Sequence, residues 1–184
     1  MKKILFLSIL LTAWFNFYSQ IFKAKDGATL IHFYSKSPLE DIEANNKNAV
    51  IVLNTATGDI QVRVTIQAFK FKNALMEEHF NENYLESTKY PNSVFKGKIN
   101  EKIDFSTDGQ NKVTVLGKME MHGVTRDVEL DGLLTKKGNE IYIDSKFKLK
   151  VADYGIKVPS LYVKNIAEVV DISVVSTLEP YIKK

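Results

Sequence analysis

The sequence predicts an all-β fold: a single antiparallel β-barrel of about eight strands with one short helix. Three observations predict it. Apolar and polar residues alternate with a period of two through run after run, Gly, Asn and Asp fall between the runs, and one segment alone switches to a helical spacing. A period of two marks a strand with one face buried and one wet. Short turns join such strands as antiparallel hairpins. An open sheet of this many strands would expose long edges, which closure into a barrel removes.

At the N-terminus, Lys2 and Lys3 precede an apolar run from Ile4 to Phe15, followed by a short stretch ending in Ser19-Gln20. That is the order of a secretory signal peptide. A membrane-spanning helix needs about 20 apolar residues, and Asn16 interrupts this run too early. Residues 1–19 are expected as a cleaved signal peptide and residues 20–184 as one domain, secreted or held in the cell envelope. The chain has no cysteine. It therefore has neither a lipobox cysteine nor a disulfide, and packing alone must stabilise the exported fold.

Along the rest of the chain, Asp26-Gly27 and Thr57-Gly58-Asp59 read as turns, and Ile60, Val62, Val64 and Ile66 alternate with Gln61, Arg63, Thr65 and Gln67. Asn73 to Asn83 reads as the helix. Asn73 suits the cap, Glu77 and Glu78 suit the positive N-terminal end, and Met76, Phe80 and Tyr84 form one apolar stripe. Tyr90-Pro91-Asn92 ends this excursion and begins the next strand. Asp108-Gly109 then precedes a run with Val113, Val115, Met119 and Met121 on one face. His122-Gly123 turns into Val128, Leu130 and Leu134, and Lys137-Gly138-Asn139 turns into Ile141, Ile143, Phe147 and Leu149. Val170, Ile172, Val174 and Leu178 close the series.

Composition narrows the function. Lys2 and Lys3 are the only charges in the leader, and the chain holds 25 basic and 22 acidic residues, so the mature balance is +1. The lysines are scattered among acids, without a stripe to track a phosphate backbone, and nucleic acid is not expected. No second long apolar run predicts a transmembrane segment in the mature chain. His32, His79 and His122 are far apart and fall in no metal-binding spacing. There is no G-x-S-x-G elbow, cysteine nucleophile or glycine-rich phosphate loop, so neither an enzyme nor a cofactor is expected.

The inner faces carry the candidate site. Gly97 lies between Phe95 and Ile99, Gly117 between Val115 and Met119, Gly132 between Leu130 and Leu134, and Ser145 between Ile143 and Phe147. Alternation turns all of these inward, with Met121, Ile172 and Val174 alongside them. A barrel of about eight strands is just wide enough for side chains to fill or for one slim ligand. Small residues at similar depth favour a cavity; glycine in a strand equally marks a bulge or a barrel corner. An apolar lining suits a lipid. Burial of about 0.8 kcal/mol per CH₂ gives a dozen carbons on the order of 10 kcal/mol gross, less several for association and ordering. His122, Thr125 and Arg126 would stand near the mouth, either to meet a headgroup or simply as a hairpin turn with an exposed arginine.

Three stretches resemble the YceI-like family. Phe69 to Gly97 carries a helix with Glu78-His79, the turn Lys89-Tyr90-Pro91 and a strand with Phe95-Lys96. Gly117-Lys-Met-Glu-Met-His-Gly-Val-Thr-Arg126 is similar to that family's Gly-x-Leu-Thr-x-His-Gly-Val-Thr-Lys/Arg element. Ala152-Asp-Tyr-Gly-Ile156 resembles its Asp-Phe-Gly-Ile segment. The resemblance runs from about Lys25 to Leu178. It implies a lipocalin-like barrel, export to the periplasm, and a polyisoprenoid or similar amphiphilic lipid, of isoprenoid quinone or polyprenol type, held inside. Two other readings compete. A structural or protein-interaction barrel would have a filled core and no lipid. An enzyme would need an acid–base pair facing the cavity.

Overall fold

The computed structural model describes residues 21–36, 41–157 and 168–182, so the expected signal peptide lies outside the described residues. The strands are β1 (Ile21–Ser35), β2 (Ile42–Asn46), β3 (Ala49–Asn54), β4 (Asp59–Thr65), β5 (Lys70–Phe71), β6 (Asn92–Ile99), β7 (Gly109–Met121), β8 (Val124–Lys137), β9 (Glu140–Lys150) and β10 (Val169–Pro180). Eight of them close an antiparallel ring in the order β1-β3-β4-β6-β7-β8-β9-β10 and back to β1. Among the described residues the barrel, its strand number and one short α-helix are as the sequence predicts.

β2 and β3 act as one bent strand along β1. β3 pairs with Ile21–Lys23 and β2 with Ile31–Ser35. Asn46 holds the bend: its buried amide donates from Nδ2 to the Thr65 carbonyl (2.8 Å) and accepts at Oδ1 from the Asn48 N–H (2.8 Å). The short β5 pairs with β2 outside the ring.

Asp26-Gly27 is not a turn between strands, as its composition suggests, but a bulge inside β1. Between the pairs Ala24↔Leu178 and Thr29↔Ser176, β1 advances five residues and β10 two. Gly27 takes φ +72°, which lets the strand absorb extra residues without ending its ladder. Ile66 likewise leaves its strand for a 3₁₀ turn over Ile66–Ala68. Between β7 and β8, Met121 pairs with Val124, and His122 and Gly123 take φ of 51° and 73°. These are the two positive-φ positions of a type I′ hairpin.

The helical segment is two structures rather than one. α1 (Ala74–His79) starts at Asn73, whose side chain accepts from the Leu75 N–H at 2.9 Å. The Lys70 ammonium beside Glu77 and the Phe71 N–H hold the Glu77 carboxyl below its ordinary value. From Phe80 to Tyr84 the run widens to a π-helical turn, closed by Leu85 N–H to Phe80 O at 2.9 Å. Phe80 and Tyr84 pack on the barrel core as the stripe predicts.

One end of the barrel interior is closed tightly. Leu53, Ile141 and Leu178 are 0 % exposed, and the register sets Leu53 between Phe22 and Ile60 and Leu178 between Ala24 and Ile141. Toward the other end lies a second cluster on Ile31, Ala44 and Phe69, joined by the partly exposed Phe33, Phe71, Phe80, Ile172 and Val174. Phe80 lies at the centre of the aromatic group, 5.0 Å from Phe71, 5.5 Å from Phe69 and 6.2 Å from Phe33 between ring centroids.

Candidate functional site: an apolar chamber in the barrel

Between these two ends the inward stripes leave a chamber of about 80 Å³. Its walls are mostly alternate residues of β3, β4, β6, β7, β8, β9 and β10, because the two-residue period of each strand aims one set of side chains at the barrel axis; at β8 the wall also includes Asp131 and Leu133, on either side of Gly132. From the sequence candidates, Phe95 and Ile99 on β6, Val115 on β7, and Leu130, Gly132 and Leu134 on β8 line it. Ile143, Ser145 and Phe147 on β9 and Val174 on β10 complete that set. Ser145 donates its hydroxyl to the Asp131 carbonyl at 2.6 Å, so its polar group is satisfied within the wall.

Five candidates lie elsewhere. Met119 is buried and Met121 partly buried in the core beside the chamber, and Ile172 belongs to the second cluster. Gly97 and Gly117 face each other as a register pair, and the space their side chains would take holds the Phe95 ring. A Cβ on Gly97 would meet Phe95 Cζ at 2.6 Å, and one on Gly117 would meet Phe95 Cε2 at 2.8 Å. Gly132 pairs with Ser145, and both open on the chamber.

Ile51, Ile60, Val62 and Val113 also line the chamber and were not among the candidates. Ile60, Val62 and Val113 stood in visible alternating runs. Ile51 sits in the unbroken apolar stretch Ala49–Leu53, where no alternation marks which residues turn inward.

The three motif stretches meet at one end of the barrel. His122 Nε2 lies 2.8 Å from Glu86 Oε2, and Nδ1 lies 3.1 Å from the Tyr154 carbonyl oxygen. The ring is thus held from two sides, by the Glu86 carboxylate at one nitrogen and the Tyr154 carbonyl at the other. Tyr90 stacks edge-on at 4.6 Å, and Gly123 leaves it space, since a Cβ there would meet Tyr90 Cε1 at 2.7 Å. Arg126 Nε donates to the Asp153 carbonyl at 2.9 Å. Burial pushes the Tyr154 phenol up, with Asp153 adding to the effect and Arg126 opposing it.

These residues clamp the hairpin to its neighbours. His122, Glu86 and Arg126 do not line the chamber, and both ring nitrogens of His122 are engaged by protein groups. His32, with Asn45 Oδ1 at 3.1 Å from Nδ1, lies in the cross-strand pairing of β1 and β2 and also lines no chamber. Replacing His122 with Ala is expected to cost about 1–3 kcal/mol, because the ring's contacts to Glu86 and to the Tyr154 carbonyl are both lost. Urea unfolding of the variant beside the parent checks this.

A larger depression, about 1070 Å³, lies on the outer face over β3, β4, β6, β7 and β8. Lys96, Lys98 and Lys118 surround it with Asp59, Glu120, Asp127 and Glu129, and it is open to water. An apolar chain there would stay wet, so the interior is the better candidate despite its smaller volume.

Comparison with known proteins agrees with the geometry. A family model described as the YceI-like domain matches residues 28–178. Among solved structures, the chain is similar to a polyisoprenoid-binding domain from Saccharophagus degradans implicated in plant cell wall breakdown, with TM-score 0.75 and 13% identity, covering 89% of this chain and 99% of that one. It is also similar to BcnA of Burkholderia cenocepacia, with TM-score 0.71 and 16% identity, covering 84% and 98%. A Campylobacter jejuni YceI protein aligns with TM-score 0.55 and 20% identity, over 74% and 81%. No curated protein matches the chain. The match to residues 28–178, on a closed barrel whose three motif stretches meet at one end, places this chain in the YceI-like domain family.

Proposed function

We propose that this protein binds the apolar chain of a polyisoprenoid or similar amphiphilic lipid inside its barrel. On this reading it is a non-enzymatic carrier of the periplasm or the secreted fraction, released by loss of residues 1–19. The observation that carries the reading is the apolar chamber, which abuts the partly exposed Phe33, Phe80 and Ile172 through Val174. The part of a guest chain that passes these residues would replace water with Val, Ile, Leu and Phe contacts. The similar Saccharophagus degradans domain is polyisoprenoid-binding, which supports the same class of ligand.

The volume sets a condition on this function. Ligand pockets usually span roughly 300–1,000 Å³, and an engineered cavity of about 150 Å³ takes benzene. A chamber of about 80 Å³ holds only the tip of a prenyl chain. Binding therefore requires the mouth around Phe80 to take the remainder or the chamber to widen. The same small volume favours a second reading, a barrel with a filled core that serves as a structural or protein-interaction module.

Native mass spectrometry of protein purified from a bacterial envelope separates the two. Adducts with the mass of an isoprenoid quinone or polyprenol, lost on activation, are expected. A clean apo mass, unchanged after incubation with both lipid classes, favours the filled-core module instead.

A further inference from the structure

The Gly97–Gly117 pair and Phe95 form one device. Phe95 leaves β6 facing inward, across the ring from Val174 on β10, with the chamber between them. From that position its ring has two places to go: into the chamber, or back against its own wall. It lies against the wall because both inward positions there lack a side chain, and they lack it at the same level, as direct register partners. A single glycine would not suffice, since the ring lies close to both missing Cβ positions, 2.6 Å from one and 2.8 Å from the other.

From this we infer that the paired glycines are a berth for the Phe95 ring, and that the ring's position sets the bore of the chamber. Berthed, the ring leaves the axis open; displaced, it occupies the space a guest chain needs. Phe95 is thus the residue that determines which chains fit, an inference that rests on the binding reading above. It also assigns the small residues different tasks. Gly132 and Ser145 border the guest, whereas Gly97 and Gly117 make room for a side chain of the protein.

The test is a cycle of four proteins: parent, Gly97→Ala, Phe95→Ala and the double variant. Gly97→Ala is the gentler of the two berth substitutions, because its two closest obstacles are side-chain tips, Phe95 Cζ at 2.6 Å and Val115 Cγ1 at 2.8 Å, with the Leu116 carbonyl oxygen at 3.0 Å, whereas those of Gly117 are backbone. Farnesol is the probe, followed by calorimetry, with thermal melts of all four proteins. Gly97→Ala should weaken farnesol binding by about tenfold or more, the equivalent of one overpacked contact. Phe95→Ala should bind at least as well as the parent. The double variant should recover binding, and the melting cost of Gly97→Ala should shrink once Phe95 is gone.

Parent-like binding by Gly97→Ala, or a double variant no better than Gly97→Ala, overturns the berth. Equal melting costs of Gly97→Ala with and without Phe95 overturn it as well, and that comparison needs no ligand. If no member of the cycle, the parent included, binds farnesol or a longer prenyl alcohol while the melts still show coupling, the binding reading falls and the bore-setting role falls with it.

Discussion

Replacing Gly117 with Ala is expected to destabilise the protein by about 3 kcal/mol or more, at or above the upper part of the usual overpacking range. The new methyl would stand 2.6 Å from Gly97 Cα and closer still to the Lys96 carbonyl oxygen. Both obstacles are backbone of β6, paired with β7 from Val94↔Glu120 to Ile99↔Val115. They can yield only if that ladder opens. The third obstacle, Phe95 Cε2 at 2.8 Å, is a buried ring. Against a total stability of roughly 5–15 kcal/mol, such a loss lowers the yield of folded protein visibly. Gly132→Ala is the matched comparison. Its closest obstacles are Asp144 O at 3.1 Å and Ser145 Cβ at 3.4 Å, and a shift of a few tenths of an ångström relieves them. Thermal melts of the two variants should separate clearly, with Gly117→Ala far lower. Equal melting temperatures would show that β6 and β7 are not pressed together at this pair.

Leu53→Ala is expected to cost about 2–5 kcal/mol, a fall in melting temperature on the order of 10 °C. Leu53 is 0 % exposed and stands between Phe22 and Ile60 in the register, in the same core cluster as the equally buried Ile141 and Leu178. Strand backbones fix this end, so little collapse can fill the void. Val175→Ala on the outer face serves as the control, since Val175 is 41% exposed and should change stability by no more than about 0.5 kcal/mol. The asymmetry bears on function. A tightly packed end anchors the barrel, and on the proposed binding reading the partly exposed apolar residues at the other end are those a guest would displace.

Most of the architecture was legible because a half-buried strand writes its geometry directly into the sequence. The runs Ile60–Val64, Val113–Met121 and Ile141–Leu149 each give their strand and its inward face, and His122-Gly123 gives its hairpin. Local signals were less informative where a residue type serves two backbone purposes. Asp26-Gly27 has the composition of a turn, yet a glycine at positive φ serves a bulge equally well, and only the β1–β10 register distinguishes them. The helix was legible from Asn73 and the Met76–Phe80–Tyr84 spacing. Its change to a π turn at Phe80 was not, because one added residue per turn leaves an apolar stripe nearly intact.

The candidate chamber was legible as a set of inward residues but not as a volume. Four small residues at similar depth suggest one hollow. The structure instead divides them, because the fate of a missing side chain depends on a neighbour: Phe95 lies over Gly97 and Gly117, and no comparable ring covers Gly132. The direction of a side chain follows from alternation, whereas the rotamer that fills or vacates the axis depends on contacts across strands far apart in sequence. The motif residues His122 and Arg126 show the same limit. Their types suit a headgroup, and their observed partners are Glu86, the Tyr154 carbonyl and the Asp153 carbonyl.

The most direct test of a guest held inside the barrel is methyl NMR during titration with a prenyl alcohol. Ile51, Val115 and Val174 report on the chamber, and Leu116 and Val52 report on the outer depression. Binding inside predicts that the first three shift together and saturate while the last two stay put. Shifts confined to Leu116 and Val52, or no shift at any of the five, would contradict the account.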